Sequence, residues 1–348
     1  MVQRWWRLAV WCVLVGGLLH GGPAAAQAVG TTGAPKAPPA FQVVARKPPP
    51  ASGEGRFSAK VKQGGADPSG YEVRLDGRTF FLPGLSALIH DPGRNRLITY
   101  GQSLDSHVGG ASFEYRAYSA EGQPLVSTGQ LAQFPHVASV EPDGAFILAG
   151  QAAEATPTRW FVATYDRDAK LKWRSPLPEP MAPSEIARSP DGDAVGILLT
   201  SVGRRSSFRL LVYDGAGNLV YSRPRSSHQA LAFTRNRNLI LCGTQDWEVL
   251  DTRRGLKPVA SGRLAGLRLD SPAIRVHPTR DVFILTSMLD QTVVLQAFRG
   301  SDGALVAESR LPSPKPLYFD TDRLRVAEDG TLQLKLGDDL LTLKLPAE

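Results

Sequence analysis

The side chains that could do chemistry are few and scattered. His136, His228 and Asp322, with Ser86 and Ser184, are polar residues at or near the starts of strand-like runs. Histidine and aspartate brought together can hold a divalent metal or share acid–base work. Asp105, His107, Arg204, Arg205, Asp246 and Trp247 lie in or beside polar stretches between such runs, where binding residues concentrate. No G-x-S-x-G nucleophile turn, H-E-x-x-H metal helix or GxxxxGK[ST] phosphate loop occurs. Catalytic residues are therefore not assigned, no cofactor is expected, and a divalent metal stays open. Cys242, in LILCG, reads as a buried, inert thiol. Asp143, Asp191, Asp214 and Asp329 sit in tight turns, where aspartate bonds its own backbone. His90 and His277 precede turns and read as turn or core histidines.

What must position these residues is a repeat. A turn signal recurs between two apolar runs: His90-Asp91-Pro92-Gly93 before RLITYG, Glu141-Pro142-Asp143-Gly144 before FILAG, Ser189-Pro190-Asp191-Gly192 before AVGILLT. Weaker copies surround 234, 278 and 328. The copies stand 44 to 50 residues apart, the length of a four-stranded propeller blade. A second turn falls inside each period, as in YDRDAKLKW from Tyr165 and YDGAGNLVY from Tyr213. Asp-Gly pairs supply the positive φ of a tight hairpin. The runs between are rich in Val, Leu, Ile, Phe and Tyr, and no long stretch has helical periodicity.

These residues resemble the WD40-like and YVTN-type β-propeller repeats of bacterial exported proteins. The pattern is carried by Pro135 to Gly144 with FILAG, and by Ser184 to Gly192. The Trp-Asp ending of true WD40 blades is missing, and the Asp-Gly turn is lost in the fourth and fifth periods. The resemblance implies an all-β chain: a single β-propeller of six or seven four-stranded blades, seven preferred, closed into a ring by both termini. It also sorts the loops. Asp-Gly turns share one face, and the longer loops 101–112, 150–159, 201–207 and 243–247 share the other. His136, His228, Asp322, Ser86 and Ser184 then fall at the channel mouth on that loop face.

The first residues read as an address. Arg4 and Arg7 precede an apolar run at 8–19, and small residues follow at 24–28. This is the layout of a cleaved secretory signal peptide, here 1–28. The run is too short to span a bilayer, and no transmembrane segment is expected after cleavage. A Pro/Gly/Ala-rich flexible linker is expected at 29–55 and the propeller at 56–348. The net charge of +7 is mild and scattered, so nucleic acid is not an expected partner. The expected function is a non-catalytic, periplasmic or secreted scaffold that binds an envelope or extracellular protein, with polysaccharide as a further partner class. The alternative is a propeller-type enzyme, a lactonase, lyase or glycan-acting hydrolase, with its site at the channel mouth.

Overall fold

Two kinds of strand occur along the chain, and they differ in how many faces they bury. Continuous apolar runs such as FILAG and VFILTS suit strands covered on both sides, whereas LQLKL alternates and suits a strand covered on one. Both kinds are present in the structure, a computed structural model. It describes residues 38–47, 57–62, 69–91, 95–103, 112–141, 143–152, 159–178, 180–201, 207–226, 230–268, 270–271, 274–312, 320–321, 324–327, 329–336 and 339–347. These belong to one compact unit spanning Pro38–Glu348. The expected signal segment 1–28 lies outside them.

The strands run in successive antiparallel sheets. Strand β1 (Gln42–Lys47) comes first in the chain but joins the last sheet. The first sheet holds β2 (Phe57–Lys62), β3 (Gly70–Leu75) and β4 (Arg78–Pro83). The second holds β5 (Leu85–Asp91), β6 (Arg96–Ser103), β7 (Ser112–Ser119) and β8 (Pro124–Ser127). The third holds β9 (Ala132–Val140), β10 (Phe146–Gln151), β11 (Trp160–Tyr165) and β12 (Leu171–Pro176), with β9 also bridging to β7. The fourth holds β13 (Met181–Arg188), β14 (Ala194–Ser201), β15 (Phe208–Asp214) and β16 (Leu219–Arg225). The fifth holds β17 (Ala230–Phe233), β18 (Leu239–Cys242), β19 (Asp246–Asp251) and β20 (Lys257–Arg263).

In the sixth, β21 (Leu267–Arg268) and β23 (Ile274–Val276) both pair β24 (Val282–Leu289), followed by β25 (Thr292–Arg299) and β26 (Leu305–Pro312). A small parallel pair links β22 (Asp270–Ser271) to β27 (Asp320–Thr321). The last sheet holds β28 (Leu324–Val326), β29 (Leu332–Leu336) and β30 (Asp339–Lys344), with β1 along its outer edge.

Turn aspartates shape the hairpins. Asp143 Oδ1 accepts from the Ala145 amide at 3.0 Å, and Asp214 Oδ1 accepts from the Ala216 and Asn218 amides at 3.0 and 2.8 Å. Asp329 does the same for Thr331 at 2.9 Å. These carboxylates serve the backbone, as short polar side chains do in turns.

Neighbouring sheets interlock with an offset of one strand. Tyr115 on the third strand of its sheet stacks at 4.7 Å on Phe146, on the second strand of the next. Trp173 on a fourth strand meets Tyr213 on the next sheet's third strand at 5.8 Å. Phe57 on β2 stacks at 4.6 Å on His90 of β5, an innermost strand. The same offset makes β2, β3 and β4 the second, third and fourth strands of their sheet. Its innermost position is unfilled among the described residues.

The expected linker at 29–55 also needs correction. Its one proline-free apolar stretch, FQVVARK, supplies β1, which pairs with β30 from Gln42↔Lys344 to Lys47↔Leu340. Phe41 is buried in the cluster of the sixth and last sheets, its amide donating to Ser309 Oγ at 3.0 Å. Burying one such aromatic is worth about 1.5–3 kcal/mol, enough to fasten an otherwise extended segment.

Candidate functional site

Three of the residues singled out in the sequence share one structural position. Ser86, His136 and Ser184 each lie where the first strand of a sheet bulges against the second. A bulge inserts residues without a partner and re-aims their side chains. Two of the three use that freedom on the backbone. Ser86 Oγ donates to the Gln102 carbonyl at 3.0 Å and accepts from the Gln102 amide at 2.7 Å. Ser184 Oγ donates to the Leu198 carbonyl at 3.1 Å. Both hydroxyls staple the bulge to the second strand.

His136 differs. It is half-buried, and its ring meets Phe113 edge-on at 5.5 Å. Burial holds its pKa below the ordinary histidine value, partly offset by a backbone hydrogen bond involving Gln133. A neutral imidazole in that setting suits a metal ligand or a general base better than an anion clamp. His228, Asp322, Asp105, His107, Arg204 and Arg205 lie outside the described residues. Among the described residues, no group of three His, Cys, Asp or Glu side chains gathers in a way that could hold a metal ion.

The loop residues divide. Asp246 is exposed at the start of β19, and its carbonyl accepts from the Gly243 amide at 2.8 Å in a tight loop. Trp247, expected as a loop-face contact, is instead core: 5% exposed, its ring 4.6 Å from Phe298 and 5.6 Å from Phe283 on the next sheet. The two are consecutive, and strand alternation sends neighbours to opposite sides. Cys242 is buried, its thiol 3.5 Å from the Gly243 carbonyl. His277 is buried too. Its Nδ1 accepts from the Arg280 amide at 3.1 Å, and burial and the Arg280 charge lower its pKa.

The described clefts lie away from His136. One of about 730 Å³ opens at the sixth sheet, beside Pro39, Arg280 and Pro346. Arg280 Nη1 donates to the Pro346 carbonyl there at 3.0 Å, and Arg299 pairs with Asp302 at 2.8 Å. Another, of about 430 Å³, lies between Arg263, Leu267, Met288 and Asp290 on the loop side. Both are polar-rimmed surface clefts of a size for peptide side chains.

Sequence reasoning missed the charged outward faces of the two end sheets. Lys60, Lys62 and Arg74 are exposed on the first, with Glu72 half-buried beside Lys62. Arg325, Lys335 and Lys344 are exposed on the last. The alternating runs FSAKVK and LQLKL held that signal, because every second residue is polar.

No protein-family model matches the chain, and no curated protein sequence matches it. Among solved structures it is similar to the Dos1 propeller, with a TM-score of 0.52 and 14% identity, over 79% of this chain and 74% of that one. It is similar to the Cps50 (Swd1) β-propeller domain of Myceliophteria thermophila, with a TM-score of 0.50 and 13% identity, over 88% and 100%. A eukaryotic initiation factor structure aligns with a TM-score of 0.48 and 13% identity, over 74% of this chain; the chain spans 63% of that protein's length. At such identities the likeness is one of fold, a β-propeller.

Proposed function

We propose that the chain is a non-catalytic binding scaffold, exported to the cell envelope and engaging a protein partner through its loops and exposed sheet faces. The observation that carries this reading is the use of its polar residues. The turn aspartates and the serines at 86 and 184 are engaged with backbone. Among the described residues, the charges left exposed are spread over sheet faces and hairpin turns. Export to a periplasmic or extracellular space rests on the layout of 1–28, and the YVTN-type resemblance agrees with it. No helix among the described residues is long and apolar enough to cross a membrane.

In-cell cross-linking of a C-terminally tagged chain, followed by mass spectrometry, tests this. One reproducible envelope partner is the expected result. Recovery of the tagged chain alone would count against it.

A second reading rests on His136. A neutral imidazole at the bulge of an innermost strand could serve a propeller-type enzyme as base or metal ligand. Stoichiometric divalent metal in the purified protein, lost in His136→Ala, would favour it.

A further inference from the structure

The two end sheets do not bury their outward faces. In the first sheet, pairing places Ser58, Arg74 and Thr79 in one row and Lys60, Glu72 and Phe81 in the next. In the last, Arg325, Gln333 and Thr342 share a row, and Lys335 pairs with Leu340. Lys60, Arg74, Phe81, Arg325, Gln333 and Lys335 are all exposed. The opposite faces are core: Val73, Tyr71 and Leu82 pack on Leu97 and Tyr118 of the second sheet, and Leu332, Leu334 and Leu341 pack on the sixth. Interior sheets differ; β11 is buried at every residue.

The innermost position of the first sheet is also unfilled among the described residues. Among the described residues β2 pairs with β3 alone, and Lys60, Val61 and Lys62 are exposed along it. Such an edge is a template for another strand. Its chemistry selects the strand. A second copy of β2 centred on its lysines would set lysine against lysine, which is unfavourable between directly opposed residues. Acidic side chains alternating along an extended peptide would meet Lys60 and Lys62.

We propose that an extended acidic peptide segment of a partner protein adds to the edge of β2 that is unpaired among the described residues, and so takes the innermost position of the first sheet. This rests on the binding reading above and gives it a place and a mode. Main-chain hydrogen bonds to β2 would hold the segment, and the lysines would select its charge.

The test uses the mature chain and a fluorescein-labelled peptide of alternating valine and glutamate, about seven residues long, enough for one strand. Three controls accompany it: a valine–lysine peptide, an N-methylated valine–glutamate peptide that cannot pair, and the K60E/K62E protein. The valine–glutamate peptide is expected to bind and to slow amide exchange across 57–62. Each control is expected to weaken binding by about tenfold or more, with an unchanged circular dichroism spectrum for the variant.

Absence of binding, equal binding of the N-methylated peptide, or unaltered affinity in K60E/K62E would overturn the proposal. So would amides of β2 that are fully protected in the free protein, from a dimer or from the chain itself. A cross-linked partner that contacts only the loop face would sink this site and leave the binding scaffold standing.

Discussion

The interior sheets and the two end sheets are built from the same hairpins but solve different burial problems. In the third sheet, Phe146 lies between Tyr115 and Tyr165, with ring centroids 4.7 and 4.5 Å away. Both sides of β10 and β11 are covered, so nearly every residue must be apolar or small. In the last sheet only alternate residues of β29 are buried. The lesson concerns edges in repeat proteins. A unit with neighbours on both sides is fastened by packing, whereas a unit at an end must stay soluble on one side, as a capping repeat does. Those outer faces are then the surfaces most able to carry binding specificity.

The largest expected effect comes from the interior. Phe146→Ala should cost about 3–5 kcal/mol in urea unfolding, because the aromatic stack collapses only partly into the cavity. Phe81→Ala, on the outward face of the first sheet and 43% exposed, should stay within about 0.5 kcal/mol. Similar losses at both sites would break the distinction.

Turn glycines sharpen it. Gly217 (φ +87) supports Trp173 of the preceding sheet, and a methyl there would lie 2.7 Å from the indole. Gly77 (φ +81), in the first sheet, has open space around it. Gly217→Ala should cost about 2–4 kcal/mol, strain plus clash, and Gly77→Ala about 1–2 kcal/mol from backbone strain alone. Unfolding midpoints in urea would separate them.

The pH dependence should come from inside. His136 and His277 both have folded-state pKa values lowered by burial. The unfolded chain therefore binds more protons below the ordinary histidine value of about 6.5. Stability should fall as pH drops below that value and level off once the folded-state values are passed. His277→Asn should flatten the curve, read as the urea midpoint between pH 7 and 5. An unaltered slope in both single variants would show that these histidines titrate normally.

The smallest effect is expected at the ends. Lys62→Ala removes an exposed ion pair with Glu72 and should leave the thermal midpoint unchanged, since exposed pairs contribute little.

The hairpins were legible in the sequence because turn chemistry is local: in these turns Asp143, Asp214 and Asp329 each bond the amide two residues on. The burial of each sheet was legible in part, through continuous against alternating apolar runs. The pairing of Gln42 with Lys344 was not, because partners three hundred residues apart leave no mark in either local pattern. Trp247 was misplaced for a related reason. A tryptophan one residue into a strand looks like a loop residue until the strand's facing is known. The bulges at Ser86, His136 and Ser184 were likewise hidden, since a bulge is a mismatch of register between two strands, not a property of one. The grouping of His136 with His228 and Asp322 rested on repeat equivalence, and two of those three lie outside the described residues.

Amide hydrogen exchange of the free, mature protein tests the contrast between interior and end sheets most directly. Amides of β10, β11 and β24 should exchange only through global unfolding, while those of β2 exchange orders of magnitude faster. Protection of β2 equal to that of β10 would contradict an end sheet with a free edge.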